Sequence, residues 1–158
     1  MLKFAHRYLL FTLLLLMLMV PSSIWAAAAA STSSPSGESN LIEGRRMALV
    51  FGNADYGGRF DLRNPANDAH RLAGALKDGF GFSVDVYTNK GLRTMEVLAD
   101  EFVGKLQPGD VVFFYFSGHG VQISGQNYMV PVDFERNTGS IEERLFSIGT
   151  FIEAVKKK

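Results

Sequence analysis

Six consecutive apolar residues, Val111 to Phe116, run directly into Ser117-Gly118-His119-Gly120. A stretch that is apolar on both faces predicts a strand in the middle of a parallel sheet, covered by helices on each side. The preceding pattern fits that requirement. Arg46-Met-Ala-Leu-Val-Phe-Gly52 is a short apolar run ending in glycine and predicts a first buried strand. Asn64 and Pro65 look like an N-cap and a first-turn proline, followed by Ala69, Leu72, Ala73 and Leu76 at helical spacing, with Gly79 closing the helix. Phe82, Val84 and Val86 alternate with Ser83, Asp85 and Tyr87, the pattern of a strand with one more exposed face near a sheet edge. Thr94 is placed to cap a second helix with the stripe Met95, Leu98, Phe102 and Leu106, ended by Pro108-Gly109.

Strand, helix, strand, helix, strand defines an α/β layer architecture with right-handed crossovers. Beyond it, Gly120–Tyr128, with Gly125-Gln126 at its centre, predicts a hairpin, and Phe146–Lys157 a final helix bearing Phe151, Ile152 and Val155. In such sheets ligands sit beyond the carboxyl ends of the strands, where the winding reverses. If the first and third strands are neighbours, the crevice is built by Asn53–Arg63 and Ser117–Gly120.

The amino terminus is set aside from the fold. Lys3, His6 and Arg7 precede the apolar run Leu9–Val20, and Pro21, Ser22, Ser23 and Ala26–Ala30 follow. Residues 1–26 are expected to be a signal peptide, because the run falls short of the roughly 20 residues that a spanning helix needs. The chain is thus expected to be exported, periplasmic or extracellular; the alternative is an anchor formed by an uncleaved N-terminal segment, the only route to a membrane. Residues 27–42 form a flexible linker rich in Ser, with Pro and Gly. Residues 43–158 remain as a single domain of ordinary size.

Sixteen Lys and Arg balance sixteen Asp and Glu, and no basic stripe stands out, so no nucleic-acid partner is expected. Removing residues 1–26 takes away Lys3 and Arg7 and no acid, leaving 14 cations against 16 anions. Lys156–Lys158 is a solvated helix tail. The chain contains no cysteine, which excludes disulfides, thiolate metal sites and any internal cysteine nucleophile.

A histidine delivered by an apolar strand into a glycine-flanked turn can serve as a general acid or base near neutral pH. The flanking glycines admit a substrate backbone, and the Gly120 N–H is a candidate oxyanion donor. Equally, the imidazole can simply finish a strand. No Gly-x-Ser-x-Gly elbow and no phosphate-binding Gly-x-x-x-x-Gly-Lys loop is present. Gly79-Phe-Gly81 follows a helix and is a helix stop, and His70 is a solvated neighbour of Asp68.

Four blocks in order resemble the caspase-like cysteine peptidases, closest to their bacterial, metacaspase-related branch: Ala48-Leu-Val-Phe-Gly-Asn53 with Tyr56, Leu62-Arg-Asn-Pro-Ala-Asn-Asp-Ala69, Val112-Phe-Phe-Tyr-Phe-Ser-Gly-His-Gly120, and Asn127-Tyr-Met-Val-Pro-Val-Asp133. The resemblance spans about 46–158. It implies a caspase–hemoglobinase-like three-layer sandwich with a mostly parallel central sheet, incomplete at its C-terminal side, and a Cys–His dyad that cleaves peptide or protein substrates. It puts His119 at the dyad histidine and Gly120 at the oxyanion glycine. Asp68 and Ser117, with Gly118 beside them, take positions that line a pocket for a basic residue. The bland reading of Asp68 is a first-turn acid favoured by the helix dipole. Arg63 offers the rival preference, for an acidic residue.

The family's cysteine follows the next core strand, and this sequence stops before it. The 158 residues are therefore expected to be inactive as given, as a gene fragment or as a non-catalytic peptide- or protein-binding module. An unpaired sheet edge is then open to a partner. No cofactor is expected; calcium enters only through the resemblance, with Asp133 and Glu135 as the acids that would join a cation site.

Overall fold

The computed structural model describes residues 44–158. The signal-peptide expectation and the whole of the linker lie outside the described residues. Three parallel strands form the main sheet: β1 (Arg46–Gly52), β2 (Ser83–Thr88) and β3 (Val111–Ser117), in the order β2-β1-β3. Helices α1 (Pro65–Phe80) and α2 (Leu92–Lys105) make the crossovers. A second, antiparallel sheet follows, with β4 (Gly120–Ile123), β5 (Gln126–Met129) and β6 (Phe146–Ser147), and α3 (Ile148–Lys156) ends the chain.

The pleat of β1 divides the core. Ala48 and Val50 face α1, where they pack with Ala69, Ala73, Leu76 and Val84. Met47, Leu49 and Phe51 face α2 and α3, among Met95, Phe102, Leu106, Met129, Phe146 and Phe151. Both faces of the sheet are thus buried, giving three layers and the α/β sandwich that the sequence implies.

Among the described residues β1 is the central strand and Val111–Phe116 lies at the edge. Among the described residues β3 pairs only with β1. Its two-faced apolarity has a different cause: Val112, Phe114 and Phe116 pack toward α2 and α3 while Tyr115 packs toward α1. Apolar residues on alternate faces report covered faces and say nothing about hydrogen-bonding neighbours. Val111 is 45% and Phe113 36% exposed.

Element ends shift where a distant partner or a special backbone angle decides them. Helix α1 runs through Gly79 and stops at Gly81, which takes φ 67° while the Phe82 N–H donates to the Leu76 carbonyl at 3.0 Å. Asn64 holds the N-cap position without a side-chain cap bond. Thr94 does not cap α2. That helix begins at Leu92, whose N–H donates to Asp133 Oδ1 at 2.9 Å, and Gly91 is the cap residue because a Cβ there would collide with the Asp133 carboxylate. The hairpin turn is Ser124-Gly125, both at positive φ, one residue before the expected centre. Phe146 belongs to β6, and α3 starts after Ser147, whose Oγ accepts the Thr150 N–H at 3.2 Å.

Candidate active site

Strands β1 and β3 are neighbours, so the segments that follow them meet at the carboxyl end of the sheet. The Asn53 N–H donates to the Ser117 carbonyl at 2.9 Å and extends the pairing one residue past β1. Asn53 is fully buried, and its amide spans to the end of β2: the Lys90 N–H donates to Asn53 Oδ1 at 2.9 Å, and Asn53 Nδ2 donates to the Lys90 carbonyl at 3.1 Å. Asn89, at φ 54°, accepts the N–H groups of Ala54 and Asp55 at 2.8 and 3.1 Å. The Leu62 N–H closes the loop onto the Ala54 carbonyl at 2.8 Å. This loop carries Tyr56 and Phe60 to His119.

His119 Nε2 lies 2.8 Å from the Phe60 carbonyl oxygen. A carbonyl only accepts, so Nε2 carries the proton and Nδ1 is left as the bare basic nitrogen. The Tyr56 ring lies against the imidazole, with centroids 4.6 Å apart and planes tilted by 60°. Its hydroxyl accepts the His119 N–H at 3.0 Å and donates to the Val130 carbonyl at 3.2 Å, while the Val130 N–H donates to the His119 carbonyl at 2.9 Å. Residues 119 and 130 would form the next hydrogen-bonded pair of the β4–β5 ladder, and one of its two bonds is relayed through the tyrosine. Burial pushes the Tyr56 hydroxyl up to about 12, although the His119 N–H acts in the other direction, so it remains the neutral donor that the relay requires.

The register assigns the glycines. Gly120 pairs with Met129, one step beyond the hydrogen-bonded 119–130 position, and so falls at a position where N–H and C=O point away from β5. Its N–H is free of the ladder. At Gly118 a Cβ would stand 2.5 Å from the Tyr56 hydroxyl and 2.6 Å from the Phe116 ring. Only glycine lets the chain pass between them.

Ser117, Gly118, His119 and Gly120 are contiguous in this turn, whereas Asp68 sits on the exposed first turn of α1 with no side-chain hydrogen bond. The start of α1 abuts the end of β1 so closely that a Cβ on Gly52 would strike the Pro65 carbonyl and the Ala69 methyl. Asp68 therefore shares the carboxyl end of the sheet with His119. Arg63 and His70 are exposed.

A cavity of about 250 Å³ opens beside the imidazole, lined by Tyr56, Phe60, His119, Val130, Val132, Phe134 and Glu135. The segment 130–135 as a crevice wall was missed in the sequence, as were the Tyr56 relay and the Phe60 carbonyl. Val130, Val132 and Phe134 alternate with Pro131, Asp133 and Glu135, a period-two signal that could have found the wall. A backbone carbonyl leaves no trace in residue type.

Asp133 Oδ1 accepts the Leu92 N–H and, at 3.0 Å, Asn137 Nδ2, while Glu135 lines the cavity. Among the described residues no three His, Cys, Asp or Glu side chains converge.

Residues 45–157 match the caspase domain family, and the chain belongs to it. Two curated relatives are similar to it. Metacaspase-1 of Saccharomyces cerevisiae is 30% identical over 129 residues, a match covering 66% of this chain and 29% of that protein. The human mucosa-associated lymphoid tissue lymphoma translocation protein 1 is 32% identical over 88 residues, covering 56% of this chain and 11% of its own length. The chain is thus similar to metacaspase-1 within its caspase domain and spans under a third of the yeast relative it matches.

Proposed function

We propose that this chain supplies the imidazole, the oxyanion donor and part of the substrate crevice of an exported Cys–His endopeptidase, with the thiolate provided by a segment outside these 158 residues. The observation that carries the reading is the 2.8 Å approach of His119 Nε2 to the Phe60 carbonyl, which leaves Nδ1 as the nitrogen presented for proton transfer. In the reaction, Nδ1 takes the proton of a cysteine thiol. The sulfur bonds to the substrate carbonyl carbon, and the carbonyl electron pair moves to oxygen, where the Gly120 N–H donates to it. Collapse breaks the C–N bond as the imidazolium passes its proton to the leaving nitrogen. Water then splits the thioester, again giving its proton to Nδ1 and returning the thiol. Histidine alone supplies no such attack, and the chain has no cysteine.

Asp68 and Ser117, with Gly118, recognise the residue before the scissile bond, and the exposed carboxylate of Asp68 favours a basic one. Arg63, also exposed, would favour an acidic residue instead. The second reading, a non-catalytic peptide-binding module, draws on the same missing cysteine.

The test joins to Lys158 a metacaspase segment carrying the next strand and its Asp-Ala-Cys sequence. The fused protein is expected to hydrolyse peptides with Arg or Lys before the bond, and His119→Ala is expected to abolish turnover. A folded fusion whose crevice binds such peptides without cleaving them favours the module.

A further inference from the structure

Resting on the peptidase reading above, we infer that the cavity formed by Tyr56, Phe60, Val130, Val132 and Phe134 against the face of His119 is a subsite for an apolar side chain on the residue that follows the scissile bond. None of the residues assigned to the preceding side chain, Asp68, Ser117 or Gly118, lines this cavity, so it is a separate compartment of the crevice. Its position relative to the chemistry is set by His119 itself. The imidazole must reach the leaving nitrogen, which belongs to the residue after the bond, and that residue therefore rests against the wall that His119 provides.

The lining selects the class. The two valines, Tyr56 and Phe134 are half-buried, and Phe60 is 42% exposed, forming the outer lip. Phe134 is held from outside the cavity, where the Arg144 guanidinium stacks 4.3 Å from its ring centroid. The volume, about 250 Å³, exceeds many times the roughly 15 Å³ that a single water needs, and it accommodates a leucine or phenylalanine side chain. Glu135 is the one carboxylate in the lining. An acidic side chain would lose its water against apolar walls and meet that like charge.

The fusion described above, with its added cysteine changed to alanine so that the peptides stay intact, is titrated with three peptides that share Arg before the bond and differ only in the next residue: leucine, lysine or aspartate. Nuclear magnetic resonance follows the His119 ring and the amides of Val130 and Val132. The leucine peptide is expected to bind tightest, about tenfold above aspartate. Val132→Thr, nearly isosteric, and Phe60→Ala, at the exposed lip, should each reduce that ratio below about threefold while the dependence on Arg persists. Equal affinities, or a preference for lysine, with His119 still perturbed would overturn the subsite and leave the peptidase crevice standing. Failure of all three peptides to perturb His119 would overturn both.

Discussion

The hydroxyl of Tyr56 stands between the N–H of His119 and the carbonyl of Val130, at 3.0 and 3.2 Å, and takes the place of a strand-to-strand hydrogen bond. Replacing it by Tyr56→Phe keeps the ring against the imidazole and leaves one donor and one acceptor without their partner. The expected cost is about 1–3 kcal/mol in denaturant unfolding, with faster amide exchange at His119 than at Leu49 in the central strand. Unchanged stability together with unchanged exchange at His119 would show that the relay contributes nothing.

The same tyrosine makes a prediction about alkaline pH. Its pKa in the folded chain is raised by burial to about 12 from the ordinary tyrosine value of 10.0, so between these values the folded state binds more protons than the unfolded one. Stability from this group is complete below pH 10 and falls as pH rises toward 12. Tyr87 and Lys105 are also raised and contribute to the alkaline curve. The difference between wild type and Tyr56→Phe isolates Tyr56: the stability gap should narrow from pH 10 to pH 12, and a gap that widens would contradict the assignment.

Helix α2 separates sequence expectation from structure in one experiment. Thr94→Ala should change stability by less than about 0.5 kcal/mol, because Thr94 is exposed and is not the cap. Asp133→Ala, 41 residues from the helix it caps, should cost about 1 kcal/mol. Thermal unfolding of the two variants reads the contrast, and a reversed order would restore Thr94 as the cap.

That contrast also shows which parts of the molecule are legible in the sequence. Strand β1, the crossover helices and the turn at His119 follow from local apolar periodicity and glycine placement. The cap from Asp133, the order β2-β1-β3 and the grip of Phe60 on Nε2 depend on pairs 36 or more residues apart, or on backbone atoms, and residue type does not encode them locally. Asp68 was found only through resemblance, since its own surroundings, an exposed first helical turn, match those of any dipole-favoured acid.

Strand β3 presents an unpaired edge among the described residues, and Val111–Phe116 carries no charge or proline to blunt it. Such an edge pairs with other chains. Size-exclusion chromatography of residues 43–158 is expected to give oligomers or aggregate, relieved when a segment carrying the next strand is supplied. A stable monomer with strong amide protection along Val111–Phe116 would mean that another part of the chain covers the edge.

Asp68→Ala should leave the stability of the chain within about 0.5 kcal/mol, because the carboxylate makes no side-chain hydrogen bond. In the fusion that carries a cysteine, the same variant is expected to lose selection for Arg over a neutral residue by about tenfold or more, with its rate on the neutral peptide retained. Equal selectivity in both proteins would remove Asp68 from the crevice.

In the proposed function these 158 residues hold the imidazole and the oxyanion donor of a peptidase site but not its nucleophile. Hydrolysis by the purified chain itself, assayed with peptides bearing Arg, Lys or Asp before the bond, with and without calcium, tests it most directly. No turnover is expected under any of these conditions. Turnover that disappears in His119→Ala would show that a residue within the chain attacks the peptide bond, and would contradict the account.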